Sequence, residues 1–234
     1  EYRCSERDRN RLSAMAAMMQ QDVGSAERPQ SLGEEIANSV SHGVGLLAAL
    51  GAFPVLVGTA WQRGSAMEIA GASVFATSVV LLYMTSTLFH AFPQSRAKRV
   101  FQVLEHAAIY FLIAGTYTPF TLGVLHGDRG WTLFGLVWGM ALAGTALKVF
   151  GGIRYNTLST LAYLAMGWLV VIAADVVWAR VPGWGIFWLF AGGIAYTAGA
   201  AFFLAERVRY FHFVWHLFVV AGTACHFVAV FWYA

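Results

Sequence analysis

His90, Glu105, His212, His216 and Ser86 are the residues of this chain whose types and spacing could do chemistry. His212 and His216 stand four apart in the run Tyr210-Phe211-His212-Phe213-Val214-Trp215-His216. On a helix that spacing puts both rings on one face, about 6 Å apart along the axis, within reach of one metal ion. Ser86 and His90 have the same i, i+4 relation in Ser86-Thr87-Leu88-Phe89-His90, and Glu105 opens another apolar run. Each also has a plain structural reading. One imidazole of an HxxxH can cap a carbonyl while the other sits at the lipid–water interface. A serine in a membrane helix commonly bonds its own i−4 carbonyl, and a boundary glutamate can be a solvated headgroup contact. The decision rests on whether the elements that carry these residues bring them together.

Those elements are membrane helices. The chain is 59% hydrophobic and 12% charged, the composition of an integral membrane protein. About 20 apolar residues cross the hydrocarbon, and the stretches at roughly 40–60, 69–91, 106–125, 131–150, 157–179, 185–205 and 212–233 qualify. Short connections predict an all-α seven-helix bundle over 31–234, preceded by a flexible polar tail over 1–30. The tail has no apolar stretch of signal-peptide length, and Met15, Met18 and Met19 are alternative start residues. Cys4 and Cys225 make no disulfide framework, and a net charge of +3 is too small to point to nucleic acid.

Lys and Arg set the expected orientation. With the N-terminus in the cytoplasm, Arg3, Arg7, Arg9, Arg11, Arg28, Arg96, Lys98, Arg99, Lys148, Arg154, Arg207 and Arg209 fall inside. Only Arg63, Arg129 and Arg180 fall outside, where Trp61, Trp131, Trp178, Trp184 and Trp232 also gather. The C-terminus is then outside, and the chain reads as a multi-pass protein of a bacterial inner membrane.

This topology ends the second span and begins the third and seventh at the cytoplasmic face. It therefore places His90, Glu105, His212 and His216 at one depth, with Ser86 one turn, about 6 Å, deeper. Three imidazoles with an open position are the arrangement of a catalytic zinc site, which makes hydroxide available near neutral pH. Glu105 could orient or deprotonate the water there, and Ser86 could hydrogen-bond it or an oxyanion. Zinc that only ties three helices together is the alternative.

Other features have lesser readings. Ser31 and Glu34 fit a capping box, and Glu35, Asn38 and His42 share a face of the first helix. That face either lies among headgroups or folds over the inner mouth of the bundle to support the site. Pro54 is expected to bend this helix. Gly135 and Gly139, like Gly192, Gly193 and Gly199, suggest close helix packing. Asp175 and His126 read as outer-interface residues, and His226 as a buried polar group.

The segments Glu34–Gly45 (EEIANSVSHGVG), Ser86–His90 (STLFH), Glu105–Phe120 (EHAAIYFLIAGTYTPF) and His212–His226 (HFVWHLFVVAGTACH) resemble the bacterial hemolysin III family. That family is grouped with the progestin and adipoQ receptors, among them the adiponectin receptors. The resemblance implies a seven-helix protein whose zinc is held by His90, His212 and His216 near the cytoplasmic side, with Ser86 at the family's serine. The family's acidic residue, usually Asp and holding the zinc-bound water, falls on Glu105. A longer side chain there could bind zinc directly and displace the water. Similar receptors suggest a zinc hydrolase acting on a lipid amide or ester, with membrane lipids as surroundings and a lipid-like substrate or ligand. The alternative is a receptor-like or regulatory protein with structural zinc. A positively biased bundle without an export signal argues against cytolysis as the native role.

Overall fold

The computed structural model describes residues 28–151 and 156–234. Most of the expected tail over 1–30, with Arg3, Arg7, Arg9, Arg11, Cys4 and the three methionines, lies outside the described residues, as does Arg154. The helices are α1 (Leu32–Arg63), α2 (Ala66–Ala91), α3 (Arg96–Leu122), α4 (Asp128–Gly151), α5 (Asn156–Gly167), α6 (Ala174–Arg180), α7 (Gly183–Leu204) and α8 (Phe211–Tyr233). Taken with α5 and α6 as one span, seven segments among the described residues are long and apolar enough to cross a membrane.

The ends of these helices follow from local chemistry. Ser31 and Glu34 form the expected capping box, and α1 runs unbroken through Pro54 until Gly64 ends it at φ 85°. Ser65 and Ser95 accept the N–H groups of Glu68 and Lys98 and so start α2 and α3. α2 stops at Phe92, the residue before Pro93, which disfavours helical backbone. Tyr210 turns the chain into α8 at φ 62°, and its N–H donates to Glu34 Oε1 at 2.9 Å. The start of the HxxxH helix is thereby pinned to the start of α1.

The fifth span is not the single helix that its apolar length predicts. A 3₁₀ segment, Leu169–Ala173, separates α5 from α6. The Tyr117 hydroxyl of α3 is inserted there: it accepts the Val170 N–H at 3.0 Å and donates to the Gly167 carbonyl at 2.7 Å. A break in a membrane helix persists where a neighbour satisfies the freed backbone groups.

α2 packs between α1 and α3, α3 meets α4, and α8 packs on α7 and α1. Phe75, Leu82, Val219 and Ala229 lie in the core, while Leu47 and Phe150 remain 71% and 89% exposed on the outer surface. Large exposed apolar residues over several helices are what a lipid-facing surface requires. Trp61, Trp131, Trp178, Trp184 and Trp232 are all exposed, as interfacial anchors are. Asp175 pairs with Arg129 on the exposed surface, and His126 bonds the Gly123 carbonyl.

Glycine spacing misled at one pair. Gly135 and Gly139 face open space, whereas Gly144 of the same helix lies against the Tyr110 ring. Gly192 and Gly199 do mark close approaches, to His226 and to Phe218 with Trp215. The tightest contact with another helix's backbone is at Gly71, where an added Cβ would stand 2.7 Å from Pro119 Cα. Gly71→Ala should therefore push α2 off α3 and cost about 1–3 kcal/mol, seen as a lowered melting temperature of the purified protein.

Candidate metal centre

His90 closes α2, Glu105 lies in the third turn of α3, and His212 and His216 occupy the first two turns of α8. All four are buried, and one ligand atom from each lies within 4.8 Å of the others. The ring centroids of His90, His212 and His216 are 4.8 to 5.1 Å apart. Glu105 Oε1 is 3.7 Å from His90 Nε2. In a four-coordinate zinc site with bonds of 2.0–2.1 Å, ligand atoms stand about 3.3 Å apart. Closing from 4.8 Å to that spacing takes an inward movement of about 1 Å per ligand atom, within the reach of side-chain rotation.

The other ring nitrogens explain which edge faces inward. His90 Nδ1 donates to Glu35 Oε2 at 2.7 Å, and His212 Nδ1 to Glu206 Oε2 at 3.2 Å. His216 Nδ1 stands 3.2 Å from both the Asn38 carbonyl and Ser41 Oγ. Once Nδ1 carries the proton, Nε2 is left as a lone-pair donor. Nε2 of His90 and of His216 is buried and has no hydrogen-bond partner among the described residues. Leaving such acceptors bare costs about 1–3 kcal/mol each, a cost that a shared cation would remove. Imidazole with carboxylate suits zinc and other borderline divalent ions, so the donor set fits a metal without specifying which.

Ser86 is fully buried, but its hydroxyl does not bond its own turn. It meets His42 Nδ1 at 2.7 Å, and the His42 ring stacks on His216 at 3.6 Å with a 6° tilt. Ser86 thus sits one ring away from the cluster, and His42 is the link. The polar face of α1 does fold over the cluster: Glu34, Asn38 and His42 are buried, and Ser39 ties α1 to the Thr87 carbonyl. Sequence reasoning found Glu35, Asn38 and His42 as a face but assigned them no contacts. It missed Ser41, and Glu206 lies in a connection where no helical period points to it. His226 is apart from the cluster, bonding the Leu189 carbonyl at 3.1 Å.

An apolar cavity opens beside the cluster. Glu105, His106 and His212 wall one end, and Trp168, Gly193 and His226 the other. From His212 to His226 it follows α8 for about 21 Å.

The sequence is similar to known proteins along nearly its whole length. A family model described as haemolysin-III related matches residues 30–227. The chain is 43% identical over 200 residues to the hemolysin-3 homolog of Bacillus subtilis (strain 168), covering 86% of this chain and 94% of that protein. It is 42% identical over 204 residues to hemolysin-3 of Bacillus cereus, covering 87% and 93%. A human relative, the monocyte to macrophage differentiation factor, is 28% identical over 213 residues, covering 86% of this chain and 84% of its own.

Proposed function

The chain belongs to the haemolysin-III-related family of membrane proteins, and from that premise we propose that it is a zinc-dependent intramembrane hydrolase of a lipid amide or ester. The observation that carries the reading is the position of a buried His90–Glu105–His212–His216 group at the end of a long apolar cavity. The cavity suits an acyl chain, whose carbonyl would then lie against the cluster.

His90, His212 and His216 would hold the ion through Nε2. When bound, zinc polarises a carbonyl oxygen and lets water ionise near neutral pH. Glu105 would take up the proton at its carboxylate and return it to the leaving group. Ser86 meets Nδ1 of His42, a residue that lines the cavity, and would act on the reacting centre through the His42 ring stacked on His216 rather than by direct contact. The apolar walls exclude bulk water and strengthen both contacts.

A second reading has its own support. Glu105 is already 3.7 Å from a ligand nitrogen, close enough to complete four protein ligands, and closed sites are structural. Incubating the zinc-loaded protein with membrane lipids and assaying released fatty acid separates the two. The hydrolase releases product, and a chelator stops it; no product with bound zinc leaves the structural reading. The proposed orientation is tested by a reporter fused after Ala234, expected to be active only outside the cytoplasm.

A further inference from the structure

We propose that Glu35 is the positioning residue that turns His90 toward the metal, and that Lys98 holds Glu35 in place to do so. The proposal rests on the metal-site reading above and concerns residues outside its ligand set.

His90 Nδ1 has two polar neighbours, Glu35 Oε2 at 2.7 Å and Asn38 Nδ2 at 3.5 Å. An amide nitrogen only donates, and an ionised carboxylate only accepts. The two therefore demand opposite tautomers, and the short, charge-assisted contact prevails over the long one. The proton sits on Nδ1, and Nε2 presents its lone pair to Glu105, His212 and His216. Without this anchor the donating Asn38 Nδ2 favours the proton on Nε2, which removes the lone pair that faces the cluster.

Lys98 makes the anchor rigid. Its ammonium has three protons and three oxygen partners: Glu35 Oε1 at 2.9 Å, the Phe89 carbonyl at 2.9 Å and the Phe92 carbonyl at 3.2 Å. Those carbonyls flank His90 at the end of α2. One buried cation thus grips the backbone that carries the ring and the carboxylate that orients it. It also sits over the Phe89 ring at 4.6 Å. Burying an ammonium and a carboxylate is costly unless each is fully paired, and here the pair neutralises itself, adding no net charge beside the cluster. The other rings are held less firmly: His212 by Glu206 at 3.2 Å, and His216 by a neutral carbonyl and a hydroxyl at 3.2 Å.

The experiment compares purified wild type, Glu35→Gln, Glu35→Asp and Asp175→Asn, each stripped of metal. Zn2+ affinity is read by chelator competition, Co2+ ligation by its visible absorption, and fold by the metal-free melting temperature. Glu35→Gln should weaken Zn2+ binding by about 10–100-fold and change the Co2+ spectrum, as loss of an outer-shell carboxylate does. Its metal-free melting temperature should fall, because glutamine still accepts from Lys98 but no longer balances that buried charge. The Co2+ spectrum, read on folded protein, and the charge-keeping Glu35→Asp separate lost ligation from lost stability. Glu35→Asp keeps the charge beside Lys98 but withdraws from the ring; its expected loss is about tenfold, and it carries the test should Glu35→Gln not fold. Asp175→Asn, whose carboxylate pairs with Arg129 on the exposed surface away from the cluster, should bind Zn2+ as wild type does. Unchanged affinity and spectrum in Glu35→Gln, or affinity lost only in step with metal-free stability, overturns the proposal. A wild type that takes up neither ion overturns the metal-site reading as well. A wild type that binds while Glu35→Gln is indifferent overturns this inference alone.

Discussion

Replacing His216 with alanine is expected to abolish stoichiometric metal binding, the largest single effect this structure foretells. His216 is 1% exposed, and it touches both other imidazoles as well as the His42 ring. Its removal takes away one Nε2 and also the surface on which His42, and through it Ser86, is seated. The loss should exceed the 10–100-fold expected for an outer partner. Metal that binds only the folded state stabilises it by about 2.7 kcal/mol at a hundred times its dissociation constant. Wild type should therefore melt higher on adding Zn2+, and His216→Ala should not respond. His226→Ala is the matched control, a buried histidine on the same helix outside the cluster. It should lose stability but keep the response to Zn2+. A His216→Ala protein that still takes up one equivalent would remove the basis for the site.

How far the sequence foretold this site depends on which residues decide each feature. The HxxxH of α8 and the Ser86–His90 pair were legible because the helical period alone decides which side chains share a face. Glu105 was legible once the spans were counted, since α2, α3 and α8 must meet at one end of the bundle. Local rules failed where a residue from another helix decides. Ser86 alone would bond its own turn, but His42 takes its hydroxyl. The fifth span reads as one helix, but Tyr117 of α3 inserts a hydroxyl into it. Gly135 and Gly139 have the spacing of a packing motif, yet only a neighbour makes a glycine necessary, and in α4 that neighbour is Tyr110 at Gly144. Glu206 completes the set of Nδ1 partners from a connection that carries no period at all.

The same distinction shows why α1 matters more than its mostly exposed surface suggests. Glu35, Asn38 and Ser41 grip His90 and His216 from outside, while Glu34 pins the turn into α8. Glu206 grips His212 from the opposite side. The imidazoles come from two helices, but their orientation comes largely from a third that contributes no ligand. Precise sites depend on such supporting contacts.

Glu105→Gln is expected to lower lipid turnover by about 10²–10⁴-fold, the range for removing a general acid–base, while zinc remains bound through three imidazoles. Glutamine matches the carboxylate in size but cannot take up a proton. The readout is released fatty acid per bound zinc, so that a change in occupancy is not mistaken for a change in catalysis. Glu105→Asp sharpens the result. Glu105 Oε1 is 3.7 Å from His90 Nε2. Shortening the side chain by one methylene draws the carboxylate back from the ligand nitrogens and leaves room for water. If Glu105 acts on the proton, Glu105→Asp keeps zinc and retains or raises turnover. If Glu105 instead completes the coordination sphere, both substitutions release zinc together, and the closed, structural reading takes the place of the hydrolytic one. Zinc content measured beside turnover on the two variants decides between a carboxylate that works on protons and one that holds the ion.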